Sequence, residues 1–171
     1  MTVNVMVDLE TMSTRSNAAI CSIGAVKFEG TKILDTFYCT IDLQTCKDAG
    51  FHISKETVKW WSEQNKEALR ELRKNNIPLE EALDKFEVWF GNKSLPVWGN
   101  GAVFDNTILA NAYFNTGREP PWKCWDDRCY RTVKALFHWI PADERVGVYH
   151  NALDDAMHQT KHLIKILGDE N

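Results

Sequence analysis

The chain opens on strand-like patterning. Residues 3–8 (VNVMVD) are β-rich, and residues 19–29 (AICSIGAVKFE) and 33–41 (ILDTFYCTI) read as two more strands. Gly30, Thr31 and Lys32 between the last two form a hairpin-type turn, so the opening predicts a three-stranded antiparallel meander. The period then changes. Residues 54–74 turn charged and helical, with Ser54 placed as an N-cap. Residues 78–90 (PLEEALDKFEVWF) set Ala82, Leu83, Phe86, Trp89 and Phe90 on one helical face, between Pro78 at the start and Gly91 at the stop. A short strand at 95–99 (LPVWG) leads to a helix over 106–116 that Gly117 ends. Residues 118–134 mix charges with aromatics, and a last helix spans 152–167 with Gly168 as its stop. Without repeats, linker or low-complexity tract, this order predicts one α/β domain over residues 1–171.

Composition narrows the class. Hydrophobic residues make up 44% and charged residues 26%, as in an ordinary globular domain. No apolar run approaches the ~20 residues of a membrane span. The N-terminus lacks the basic start and cleavage site of a signal peptide, so the expectation is a cytoplasmic protein without membrane attachment. Five cysteines in odd number, with no CxxC pair, read as free thiols rather than a zinc site. A net charge of −4 argues against a protein that coats nucleic acid. It is compatible with a nuclease, because two divalent ions in an acidic site would neutralise it.

The chemistry begins with Asp8 and Glu10. On a strand, positions i and i+2 point to one side, and two like charges on one face are costly unless a cation lies between them. Further acids stand in comparable places. In "WGNGAVFDNTIL" (98–109), Asp105 opens a helix after a strand, with Phe104 before it and Asn100 five back. In "YHNALDDAMHQT" (149–160), His150 precedes the last helix and Asp155 lies five residues on. Asp105 alone would also suit a helix cap. Asp154 is the rival to Asp155, although the spacing from His150 favours Asp155 and leaves Asp154 toward solvent.

In that order, D-x-E, N-x-x-x-F-D and H-x-x-x-x-D resemble the motifs of the DnaQ-like 3′→5′ exonucleases, and more narrowly their DEDDh branch. "ICSIGAV" (20–26) is similar to the second strand of this superfamily, and the Trp60-Trp61 pair, "WGNGAVFD", "WDDRCYRT" (125–132) and "HNALDDA" together look like a bacterial and phage subgroup, similar to RNase AS and to exodeoxyribonuclease VIII-like enzymes. The resemblance runs over nearly the whole chain. It implies an RNase H-like fold, a five-stranded mixed sheet of order 3-2-1-4-5 flanked by helices, with residues 121–125 (PWKCW) as the candidate for the fifth strand.

The resemblance also implies a site. Asp8, Glu10, Asp105 and Asp155 would hold two divalent cations, Mg²⁺ or Mn²⁺, since hard carboxylate oxygens suit these ions. His150 would be the general base, its ordinary pKa lying near the working pH. The implied activity is hydrolysis of single-stranded nucleic acid, DNA or RNA, from the 3′ end to nucleoside 5′-monophosphates. Leu9, Thr11 and Met12 would lie against the terminal nucleotide, and Asn100 and Phe104 belong to the second motif. The resemblance allows a homodimer. The rival class is a nucleic-acid-binding module with a dead site, or an accessory subunit.

Three other features stand outside these motifs. Basic and aromatic residues interleave over 118–134, where Arg128, beside Trp125, could meet a single strand; an amphipathic helix with tryptophan in the core reads equally well. Trp60 and Trp61 are adjacent, so one should be core and the other exposed. His158 and His162, four apart, have the spacing of a zinc pair, but no HExxH glutamate accompanies them and a solvated helix face is the expectation.

Overall fold

The computed structural model describes residues 2–64, 66–91 and 94–168. Strands β1 (Val3–Thr11), β2 (Ile20–Glu29) and β3 (Lys32–Thr40) form the expected meander. The short strands β4 (Val97–Gly99) and β5 (Asp127–Cys129) complete a mixed sheet of order β3-β2-β1-β4-β5. The β1–β2 and β2–β3 pairs are antiparallel, whereas β4 runs parallel to both β1 and β5. This is the five-stranded order implied by the resemblance.

The fifth strand lies two residues beyond the expected end of 121–125. Trp122 is core instead, with its indole Nε1–H donating to Asp127 Oδ1 at 2.9 Å. Asn106 Nδ2 donates to the same oxygen and to the Val97 carbonyl, which fastens the β4–β5 edge from below. The region 54–74 is two helices rather than one, α2 (Lys55–Ser62) and α3 (Lys66–Glu71). Ser54 Oγ caps α2 by accepting from the Thr57 amide, as its position suggests. A further short helix, α1 (Leu43–Asp48), is capped by Asp42. The other helices are α4 (Leu79–Phe90), α5 (Asp105–Asn115), α6 (Tyr130–Leu136) and α7 (Ala152–Gly168).

The period-2 rule divides β1 between two cores. Val5, Val7 and Leu9 pack with Leu83 and Phe86 of α4 and Ile108 and Leu109 of α5. Met6 faces the other way, against Ala156 and Leu163 of α7 and Tyr130. Asp8 and Glu10 continue the Met6 face, so they point toward α7. Gly24 stands opposite Asp8 in the ladder, and a Cβ there would lie 2.2 Å from the Ala152 carbonyl carbon. Only glycine lets the start of α7 come down onto the sheet at this point. Among the described residues no helix is long and apolar enough to cross a membrane.

Candidate active site

Three elements deliver the acids to one end of the sheet, the carboxyl end of the parallel strands β1 and β4, where α/β folds place ligands. Asp8 and Glu10 come from β1, both 8% exposed. β4 ends at Gly99, and the chain turns through 100–104 to start α5 at Asp105, which is 3% exposed. The Leu9 amide, between the two β1 acids, donates to Asp105 Oδ1 at 3.1 Å. Asp155 lies in the first turn of α7, whose start at Ala152 packs onto Gly24, the ladder partner of Asp8. Ligating atoms of Glu10, His150 and Asp155 lie within 4.8 Å of one another. The four acids and the histidine of the three motifs are therefore gathered at this end of the sheet.

His150 holds its place by strain and by packing. Its φ is +63°, a left-handed conformation that a non-glycine residue adopts at a cost. Its ring meets Trp60 and Trp61 edge-on, at centroid distances of 4.9 and 5.9 Å.

The site is short of positive charge. Burial, then Asp105 and Glu10, push the Asp8 carboxyl well above its usual range; a hydrogen bond from Gln159 Nε2 at 2.7 Å and the charge of Arg145 oppose this. Burial and Asp105 push Glu10 up to about 8, again against Arg145. Burial pushes Asp105 up to about 7, against backbone amides and Arg131. Burial and the Arg145 charge hold His150 below its usual value, which favours the neutral imidazole. Buried carboxylates under this mutual pressure, oxygen donors almost throughout, are a donor set suited to Mg²⁺ or Mn²⁺.

A cleft of about 670 Å³ opens beside Glu10. Leu9, Thr11 and Phe104 line it, joined by Trp60 and Trp61 and by Ser54, Glu56 and Thr57 at the start of α2. The tryptophan pair divides as its adjacency requires. Trp61 is buried with Nε1–H on the Thr11 carbonyl, and Trp60 is 42% exposed. The Thr11 hydroxyl already donates to the Ser13 carbonyl.

Other expected contacts fall elsewhere. Met12 lines a separate pocket behind Trp61, with Cys21 and Leu43, instead of the cleft. Arg128 turns its guanidinium back onto the Trp125 and Asp127 carbonyls. Asn100 offers its carbonyl to Arg131, while its own Oδ1 is buried without a partner. Asp154 is half-buried rather than solvated, because its Oδ2 accepts from the Val148 amide and braces the turn before His150. His162 is a core residue, not part of a solvated face. Its Nε2–H donates to the Ile140 carbonyl, which leaves Nδ1 to accept from the Tyr130 hydroxyl, so neither nitrogen is free for a metal. The five cysteines are free thiols.

Sequence reasoning missed Gln159 and Arg145. Gln159 follows Asp155 by one helical turn on the same face, a spacing that could have flagged it. Arg145 sits in an irregular segment with no periodic signal.

Residues 3–167 match the family described as the 3′-5′ exoribonuclease Rv2179c-like domain, and the chain belongs to that family of 3′→5′ exonucleases. No curated protein matches it by sequence. Its fold is similar to that of the zinc-bound E. coli ExoI–ssDNA complex, with a TM-score of 0.68 and 13% identity over 100% of this chain. A full-length 3′-exonuclease is similar at TM-score 0.59 and 13% identity, over 98% of this chain and 82% of its own. Cell-death related nuclease 4 is similar at TM-score 0.58 and 11% identity, over 99% of this chain and 64% of its own. The chain spans only 41% of the ExoI chain it matches.

Proposed function

We propose that this member of the exoribonuclease-like family removes nucleotides one at a time from the 3′ end of single-stranded nucleic acid, releasing nucleoside 5′-monophosphates. The observation that carries the reading is the meeting of Asp8, Glu10, Asp105, Asp155 and His150 beside an open cleft. RNA is the favoured strand, from the family's description. The E. coli ExoI structures hold dT and dA oligonucleotides, which keeps DNA as the alternative outcome. Kinship with RNase AS-like and exodeoxyribonuclease VIII-like enzymes belongs to the same reading, as do a single catalytic domain over 1–171 and a cytoplasmic place of action.

Divalent ions, two in this reading, would be held by Asp8, Glu10, Asp105 and Asp155 and would supply Lewis-acid activation of water and of the phosphate oxygens. The chain's own residues do the rest. Leu9 and Asn100 amides fix the Asp105 carboxylate, and Gln159 fixes that of Asp8. Neutral His150, oriented by Trp60 and Trp61, accepts the proton of the attacking water at a ring nitrogen. The exposed face of Trp60 and the ring of Phe104 offer stacking surfaces for terminal bases.

The test is direct. Matched 5′-labelled RNA and DNA oligomers are incubated in Mg²⁺ and in Mn²⁺, with EDTA and Asp8→Ala as controls. A ladder shortening from the 3′ end and absent in both controls is expected, faster on RNA. Binding without shortening would overturn the reading and point to a non-catalytic module.

A further inference from the structure

Arg145 occupies an unusual position for a residue outside the three motifs. Its guanidinium pairs directly with the Asp155 carboxylate, at side-chain exposures of 19% and 14%. Its flat face lies 4.0 Å over the Tyr149 ring. The same charge also acts on Asp8, Glu10 and His150. Arg131, which acts on Asp105, is exposed. The oxygen that Arg145 covers belongs to one of the three residues whose ligating atoms converge. A divalent ion and this guanidinium therefore compete for one carboxylate.

We propose that Arg145 is the resident counter-ion of the metal-free site, parked on Asp155, and that metal entry releases it to hold the phosphate of the terminal nucleotide. This rests on the exonuclease reading above. The charge balance supports it. Four carboxylates matched by two divalent ions leave a neutral site, and one guanidinium added to that site equals the single negative charge of a phosphodiester. A planar guanidinium can also grip two phosphate oxygens at once. The Tyr149 ring provides a surface along which it can slide without losing its stacking contact. Val148, braced by Asp154, anchors the segment, so that the movement is confined to the side chain and its immediate neighbours.

Three measurements on wild type, Arg145→Gln and Arg145→Lys test this without relying on turnover. In EDTA, Arg145→Gln should melt below wild type because Asp155 loses its partner, and saturating Mn²⁺ should close that gap. Calorimetric titration should show Mn²⁺ binding about tenfold tighter to Arg145→Gln, since the competitor is gone. With Ca²⁺ in the site, UMP should bind Arg145→Gln about tenfold more weakly, and Arg145→Lys should fall between the two. A melting gap that persists in Mn²⁺, or Mn²⁺ affinity no tighter than wild type, would overturn the parked counter-ion. Unchanged UMP affinity would overturn the phosphate contact. Wild-type protein that binds no Mn²⁺ at all would instead overturn the exonuclease reading itself, so the two failures are distinguishable. Arg145→Lys preserves the charge and keeps the test open if Arg145→Gln does not fold.

Discussion

Raising the pH in the absence of divalent ions should destabilise this protein through the acids of its candidate site. Burial and mutual repulsion lift Glu10 from its usual 4.5 to about 8 and Asp105 from 3.8 to about 7, with Asp8 also raised. The direction follows from linkage. With folded pKa values above the unfolded ones, the folded chain holds more protons than the unfolded chain between about pH 4 and 8. Stability is then full below pH 4 as far as these groups are concerned, and is lost as pH rises toward 8. The three acids share one site and titrate together, so a cautious magnitude takes one extra proton held across three pH units. At about 1.4 kcal/mol per unit, this amounts to about 4 kcal/mol between pH 5 and 8. For a chain of this size the melting temperature should fall by roughly 10 °C. The assay is thermal melting by circular dichroism from pH 5 to 9, in EDTA and in saturating Mn²⁺. Mn²⁺ engages the ionised carboxylates and should flatten or reverse the slope. Glu10→Gln should reduce the slope in EDTA and raise the melting temperature at pH 8. A flat profile in EDTA, or a slope that Glu10→Gln leaves untouched, would refute the reasoning.

Three other outcomes separate catalysis from architecture. His150→Ala should lower kcat by about 10²–10⁴ while leaving Mn²⁺ affinity within a few fold, as measured by single-turnover kinetics and calorimetry. His162→Ala should cost about 2–3 kcal/mol in urea denaturation, because it leaves the Tyr130 hydroxyl and the Ile140 carbonyl without their buried partner, yet spare kcat well below the melting temperature. Gly24→Ala should do both kinds of damage. Its Cβ meets the Ala152 carbonyl carbon, so α7 must lift, costing about 1–3 kcal/mol by the same assay and carrying Asp155 away from Asp8, with metal affinity falling in parallel.

Long periodic segments made most of the fold legible. The meander carries nine- and ten-residue strands, and α4 and α7 carry clear apolar faces, so local pattern and tertiary burial agree. β5 escaped because it is three residues, Asp-Arg-Cys, with no apolar alternation; it exists through ladder bonds to β4 and through Asp127, which collects the Trp122 and Asn106 donors. The break between α2 and α3 and the short helix α1 were hidden for a related reason. Six to eight residues of charged, helix-prone chain contain too little period to fix where one helix ends.

The site divides along a different line. A metal ligand must be a particular oxygen donor at a particular place on a strand end or a first helical turn, so its identity and spacing are both written in the chain. Asp8, Glu10, Asp105 and Asp155, the proposed ligands, stand at such places, and His150 lies beside them. A surface that touches sugar and base can be built from many side chains and from backbone, and spacing constrains it weakly. Met12 illustrates this. It follows Thr11, but β1 has a register irregularity between Glu10 and Thr11, and the indole of Trp61 caps the Thr11 carbonyl, so the next side chain is turned behind the tryptophan. Trp60 and Glu56, more than forty residues away, take the cleft wall instead, delivered by a helix whose position follows from the Ser54 amide bonding the Met12 carbonyl. Arg145 is the extreme case. It belongs to no element and no motif, and its place depends on the mismatch between the acids the chain concentrates and the cations it supplies. A residue of that kind becomes visible only once the carboxylates have been brought together and their charge has to be answered.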